Sequence, residues 1–258
     1  MVNAKGGGVA GRDRAPYRQA LAFGLAQEEL TPVTTSPGPA GSRRALVVRG
    51  GWEGHVPVEA TDRFVPFLRE SGYTVEVSDT LDSYLDADLL ASTDLIVQCW
   101  TMGQITPEQS KGLDTAVRAG TGLAGWHGGI ADAFRADLEY NFMVGGQFIC
   151  HPGGFVDYEV RVLPERADHP IVAGVDRFAV HTEQYYVHAD PSIDVLASTT
   201  FAAHPDYPWI DGVTMPAVWT KPWGSGRVFV CTVGHKLDDL DTPEVRTIIE
   251  RGLLWASR

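Results

Sequence analysis

Four short apolar runs, Ala45-Leu-Val-Val-Arg49, Tyr73-Thr-Val-Glu-Val-Ser78, Asp94-Leu-Ile-Val-Gln-Cys-Trp100 and Gly122-Leu-Ala-Gly-Trp126, alternate with segments of helical character. No other feature constrains the fold as much. Strands that follow one another through helices pair in parallel, and a parallel sheet is covered on both faces, so its strands read as continuous apolar runs. Pro57 to Ser71 is predicted helical, with Val58, Val65, Phe67 and Leu68 apolar and Gly72 as the stop signal. Thr106-Pro107-Glu108-Gln109 supplies an N-cap, a Pro at the first helical position and a Gln three residues after the cap. That helix is expected to end at Ala119-Gly120.

Beyond residue 150 the pattern changes. Val156 to Val162 alternates, Val180 to Val187 is rich in aromatics, and Val195 to Phe201 and Ala217 to Thr220 are short strand-like runs. Arg227-Val-Phe-Val-Cys-Thr-Val233 reads as a buried strand. A capped C-terminal helix is expected from Thr242-Pro243-Glu244, with the stripe Val245, Ile248, Ile249, Leu253 and Trp255. The expected fold is α/β: a doubly wound, mainly parallel sheet with an antiparallel strand set placed before the last parallel strand.

Residues 1–44 read differently from 45–258. They contain the string Thr31-Pro-Val-Thr-Thr-Ser-Pro-Gly-Pro-Ala-Gly and carry six basic against three acidic residues, leaving fifteen basic and thirty acidic residues in the expected domain, 45–258. Two readings stand: a flexible leader ending in a linker, or an arm, with the apolar stripe Tyr17, Leu21 and Leu25, that docks on the domain or a neighbouring subunit. The whole chain of 258 residues has a net charge of -12, which argues against nucleic acid or anionic lipid as partner. No apolar run approaches the ~18 to 20 residues of a membrane span. Three Cys build no disulfide framework, so a cytoplasmic location is expected.

Ligands of open α/β sheets bind beyond the carboxyl ends of the strands. Three histidines fall at such ends: His55 after Gly50-Gly-Trp-Glu-Gly54, His127 in Gly125-Trp126-His127-Gly128-Gly129, and His235 after Val233-Gly234. The segment His181-Thr-Glu183-Gln-Tyr185-Tyr186-Val-His188 adds a carboxylate, phenols and imidazoles, and on a strand His181, Glu183 and Tyr185 would share one face. Gln147-Phe-Ile-Cys150-His151-Pro152-Gly-Gly154 reads as a turn bearing a histidine. Imidazole and carboxylate move protons near neutral pH and also bind divalent metals such as zinc. Without HExxH or CxxC spacing, metal ligands must come from separate loops. His127, Glu183, His235 and His151 are therefore the candidate catalytic groups, and His55, His127, His235 and Glu183 the candidate ligands. Trp52 and Trp126, at strand ends, together with Tyr185 and Tyr186 offer aromatic surface to a sugar ring, although core packing would equally explain at least one tryptophan. His169 and His204, each before a Pro, are expected to be structural, and Cys99 and Cys231 to be core residues. No GxGxxG, P-loop or GxSxG motif supports nucleotide binding or serine-hydrolase chemistry.

Several ordered blocks resemble the trehalose-utilisation (ThuA-like) family over roughly residues 44–258. They are Gly122-Leu-Ala-Gly-Trp-His127-Gly-Gly, Gly145-Gly-Gln-Phe-Ile-Cys-His151-Pro152, His169-Pro170-Ile171 with Gly174, Thr182-Glu183-Gln-Tyr185-Tyr186, Pro216-Ala-Val-Trp219 and Gly224 to His235. The resemblance implies a class I glutamine amidotransferase-like, flavodoxin-like fold. A working amidotransferase of that fold carries its nucleophile in GxCxG. His127 stands where that Cys would be, so no thioester can form and glutaminase activity is not expected. The resemblance also implies sugar catabolism: isomerisation, or glycosidic elimination or hydrolysis, of a sugar or 3-keto-sugar. In that chemistry His127 or His235 polarises a carbonyl, alone or around a metal with His55 and Glu183, while Glu183 or His151 moves the adjacent proton. The alternative is a non-catalytic carbohydrate-binding or accessory module that serves a partner sugar dehydrogenase. The concentration of titratable groups at one sheet edge favours an enzyme. The acidic domain permits a homodimer without requiring one.

Overall fold

β1 (Arg43–Gly51) buries Ala45 to Val48 and lies between two parallel neighbours, β2 (Tyr73–Ser78) and β3 (Leu95–Thr101). The computed structural model describes residues 43–258. The leader-or-arm reading of 1–44 lies outside the described residues, except that Arg43 and Arg44 already belong to β1. The sheet continues through β4 (Gly122–Trp126), which pairs in parallel with β3.

Next in sequence come β5 (Gly146–Cys150), β6 (Phe155–Val162), β7 (Arg177–Glu183), β8 (Tyr186–Ala189), β9 (Asp194–Thr200), β10 (Thr214–Trp223) and β11 (Gly226–Cys231). Among the described residues nine strands form one sheet in the order β2-β1-β3-β4-β11-β10-β9-β6-β7, while β5 and β8 make a separate antiparallel pair. β11 pairs in parallel with β4, and every pairing from β11 outward to β7 is antiparallel. The antiparallel set is thus inserted before the last parallel strand, as the sequence pattern predicts.

The helices are α1 (Pro57–Asp62), α2 (Val65–Glu70), α3 (Ala87–Ala91), α4 (Pro107–Arg118), α5 (Gly128–Ala131), α6 (Leu138–Val144), α7 (Leu237–Leu240) and α8 (Pro243–Ala256). Strand alternation sends Ala45, Val47, Val97, Cys99, Ala124, Trp126, Phe229 and Cys231 into a core with Phe64, Leu68 and the α8 residues Val245, Ile248, Ile249 and Leu253. Leu46, Val48, Ile96, Leu123, Val228 and Val230 face the opposite core, with Leu90, Leu113, Val117 and Met143. Both faces are covered, which is the doubly wound arrangement. Tyr158, Val160, Phe178 and Val180 of the β6–β7 hairpin share the α8 core. No described helix is long and apolar enough to cross a membrane.

Four local expectations are corrected. The helix predicted over 57–71 is two helices broken at Arg63–Phe64, because Pro66 has no amide hydrogen to continue the first. The turn expected over 147–154 begins as β5, paired from Gly146 with Ala189. The run from Val180 to Val187 is interrupted between Glu183 and Tyr186, so His181, Glu183 and Tyr185 do not share one strand face. Thr242 does not cap α8 with its side chain; its hydroxyl donates to the Asp238 carbonyl at 3.3 Å. The capping box at Thr106 and Gln109 is present, with Thr106 Oγ1 accepting from the Gln109 amide at 3.2 Å and Gln109 Oε1 from the Thr106 amide at 3.0 Å.

Candidate metal centre

The carboxyl ends of β1, β4 and β11 carry the three strand-end histidines, and the end of β7 carries Glu183. His55 closes a single turn of 3-10 helix after β1, and its Nδ1 lies 2.8 Å from Thr101 Oγ1 at the end of β3. His127 is the elbow between β4 and α5, with φ 47° and ψ −140°. A side chain at that backbone geometry costs about 1–3 kcal/mol, and the surroundings must hold it there. Two hydrogen bonds do so: the His127 amide donates to Cys231 O at 2.6 Å, and the Ala131 amide to His127 O at 2.9 Å. The next residue must be Gly, since a Cβ on Gly128 would come within 2.4 Å of the His55 ring. Glu183 is fixed by Tyr158, whose hydroxyl donates to the Glu183 carbonyl at 3.1 Å. The neighbouring Thr182 hydroxyl donates to Asp239 Oδ2 at 2.6 Å, tying β7 to α7, the helix that follows His235.

These four side chains converge. One donor atom from each of His55, His127, Glu183 and His235 lies within 4.8 Å of all the others, although 180 residues separate the first from the last. Glu183 Oε2 is 3.1 Å from His127 Nε2 and 3.2 Å from His235 Nδ1. Its other oxygen, Oε1, is 3.5 Å from Nε2 of half-exposed His151. The His127 Nδ1 is 2.8 Å from the Thr232 carbonyl oxygen, which can only accept, so Nδ1 carries the proton. A neutral His127 then turns an Nε2 lone pair towards an ionised carboxylate.

Burial pushes the His127 imidazole towards that neutral form, against the pull of Glu183 and Thr232. Burial, and then the neighbouring His127 and His235, push His55 down to about 3. For Glu183 burial acts upward, but its contacts with His127 and His235 outweigh it and hold the carboxyl well below the usual range. The buried Nδ1 atom of His235 finds no hydrogen-bond partner among the described residues, for all its closeness to the carboxylate. Three imidazoles converge on one carboxylate, and two of them, His55 and His127, are pushed towards the neutral form with their second nitrogen already committed; such a donor set with outer support is of the kind that divalent cations take.

The remaining sequence-predicted residues divide. Trp52 is exposed beside the cluster, its ring 4.8 Å from that of His55. Trp126 is corrected: it is 2% exposed and packs on Phe64 at 4.7 Å, because it shares the buried face of β4 with Ala124. Tyr185, also 2% exposed, stacks behind His127 at 4.1 Å, so it backs the imidazole and offers no open face to a sugar. Tyr186 packs against Trp209 and Phe201 and makes no ring contact with the four histidine and glutamate donors. His181 pairs with Asp157 on the exposed side of the hairpin. His169 and His204 accept from the Ile171 and Asp206 amides, as structural residues do, and Cys99 and Cys231 are buried. Sequence reading missed Thr101 and Thr232. Thr101 lies one residue past the predicted third strand, and Thr232 acts through its backbone, which leaves no mark in side-chain chemistry.

A family model described as trehalose utilisation, ThuA, matches residues 44–256. No curated protein matches the sequence. Among solved structures the fold is similar to a ThuA-like protein from Bacteroides uniformis, at 17% identity and TM-score 0.68 over 86% of this chain and 95% of that one. A ThuA-like protein from Parabacteroides merdae is similar at 16% identity and TM-score 0.66, over 84% of this chain and 90% of that one. The β-galactosidase of Rahnella sp. R3 aligns at 14% identity and TM-score 0.52, over 84% of this chain but 30% of that one. At these identities the structural likeness concerns the fold alone.

Proposed function

The chain belongs to the trehalose-utilisation family, and from that premise we propose an enzyme of carbohydrate catabolism whose strand-end cluster holds a divalent ion and acts beside the carbonyl of a sugar or 3-keto-sugar. Family membership gives the carbohydrate role. The chemistry rests on one observation: His127 Nε2 faces Glu183 Oε2 at 3.1 Å while its Nδ1 is committed to the Thr232 carbonyl. Two acceptors held that close need positive charge between them.

His55, His127, His235 and Glu183 would hold the ion, which when bound would supply Lewis-acid polarisation of a carbonyl oxygen. Thr101 and Thr232 fix the orientation of two of the imidazoles. Glu183 stays ionised and is therefore a weak base, suited to anchoring charge. His151, half-exposed beside Glu183 Oε1, is placed to carry a proton between substrate and solvent. In a 3-keto-glycoside the proton on C2 is acidified by the neighbouring carbonyl. Once His151 takes it, the electron pair either picks the proton up again at C3, giving an isomeric ketose, or forms a C1–C2 double bond and expels the glycosidic oxygen, which takes the proton back from His151 and leaves as a free sugar beside an unsaturated ketone.

A second reading is favoured by the number of donors. Four protein ligands complete a tetrahedral zinc shell and leave no open position, whereas an ion of higher coordination number keeps room for substrate. Zinc held by all four would suit a carbohydrate-binding module that leaves the redox step to a partner dehydrogenase. Elemental analysis of purified protein, before and after chelation, separates the two when combined with turnover of 3-keto-trehalose. The enzyme reading expects a stoichiometric ion and at least about a 100-fold loss of turnover in both His127→Ala and Glu183→Gln. Turnover indifferent to both substitutions would remove the cluster from the chemistry.

A further inference from the structure

Two large aromatic side chains stand in the open beside the cluster, and both touch His235. The Trp52 indole is 47% exposed, 4.8 Å from the His55 ring and 6.5 Å from the His235 ring. It lies against Gly54, where a Cβ would come within 2.3 Å of the indole, so this loop is shaped to hold the ring. Phe155, also 47% exposed, meets His235 edge to face at 5.0 Å. Neither ring belongs to the two cores.

The position of Phe155 follows from strand register. It is the first residue of β6, and its partner across the β6–β7 ladder is Glu183. Directly opposed residues of an antiparallel pair share a face, so Phe155 and the carboxylate stand side by side. Turning Phe155 away would require the whole hairpin to slip by one residue, which would also turn Tyr158, Val160, Phe178 and Val180 out of the core. Lys236, next to His235, places its Nζ 5.4 Å from the Phe155 ring centre, and its backbone amide is held by Asp239 Oδ2 at 3.1 Å. An ammonium group carries three donors and no acceptor.

The geometry points to Trp52 and Phe155 as aromatic walls that hold one hexopyranose ring by its C–H surface over the cluster, with Lys236 donating to an oxygen of that ring. This rests on the carbohydrate reading above and adds the residues that would select the substrate. A pyranose suits such a place because it presents apolar C–H groups on its faces and hydroxyls at its rim. The walls supply the first contact, and Lys236 supplies a donor where the imidazoles and the carboxylate are occupied with each other. Phe155 and Lys236 touch the bound ring without entering the donor set, so they govern affinity and selectivity.

The test is calorimetric titration of trehalose and of 3-keto-trehalose into the protein as purified, with Trp52→Ala, Phe155→Ala, Lys236→Met and Phe155→Tyr beside the wild type. Both alanine variants should raise Kd about tenfold. Phe155→Tyr, which keeps the ring, should stay within about twofold, a difference worth less than half a kcal/mol. Bound metal should be unchanged in all four by elemental analysis. If the wild type binds a sugar and the alanine variants bind it equally well, the walls are wrong while the carbohydrate reading survives. If the wild type binds neither sugar, both fall. If Phe155→Ala leaves sugar binding intact and instead changes the sedimentation of the protein, the exposed ring is a subunit contact and the assignment is overturned.

Discussion

His55 depends on a single hydroxyl. Its Nδ1 is satisfied by Thr101 Oγ1 at 2.8 Å, and both residues are buried. Thr101→Val keeps the shape and removes the partner, so the imidazole is free to rotate and a buried nitrogen is left unpaired. Metal affinity should fall about 10- to 100-fold, read by competition with a chromogenic chelator, while the far-ultraviolet spectrum stays unchanged. An unaltered affinity would mean that His55 is not a ligand. Single residues were also where the sequence misled. Trp126 and His127 are neighbours in a glycine-rich turn, yet one lies in the α8 core and the other in the centre, and only the elbow at His127 separates their directions. The strand-end positions of His55, His127 and His235 were legible because each follows an apolar run. Phe155 was not, since its importance comes from its register with Glu183, and register is invisible until the partner strand is known.

At the level of elements, the termini that carry α4 and α8 make different predictions from similar sequences. Both begin Thr-Pro-Glu, but the Thr106 side chain accepts the Gln109 amide and the Thr242 side chain caps nothing. Thr106→Ala should cost about 1 kcal/mol in urea unfolding. Thr242→Ala should cost well under half of that, because only a 3.3 Å bond to the Asp238 carbonyl is lost. Equal costs would refute the distinction. The difference lies three residues further on: Gln109 can return a bond to its cap, whereas Val245 is an apolar core residue. Elements with period and caps, such as α4 and the parallel strands, could be read from sequence. β5 could not, because its pairing with β8 is set by packing some forty residues away.

For the molecule as a whole, the buried centre couples stability to pH. In metal-free protein His55 is held near 3 against an ordinary value of 6.5, so the unfolded chain takes up a proton that the folded chain refuses. Stability is therefore full above pH 6.5 and is lost progressively as pH falls towards 3. Glu183, held below its ordinary 4.5, acts in the same direction: its contribution is present above pH 4.5 and is lost below it. The melting temperature of chelator-treated protein should decline from pH 6.5 and fall more steeply below 4.5, as differential scanning calorimetry can record. A flat profile between 6.5 and 4.5 would show that His55 is not kept neutral by burial.

Because β11 inserts between β4 and β10, a nascent chain that has left the ribosome only as far as Trp223 has two unfinished edges, one on β4 and one on β10. Both wait for a strand still in the exit tunnel, and bare edges of this kind invite pairing with other chains. The same strand delivers His235, so closing the sheet and completing the donor set are one event. A nascent chain that stops at Trp223 therefore lacks one of the four converging side chains, however well its earlier strands have paired.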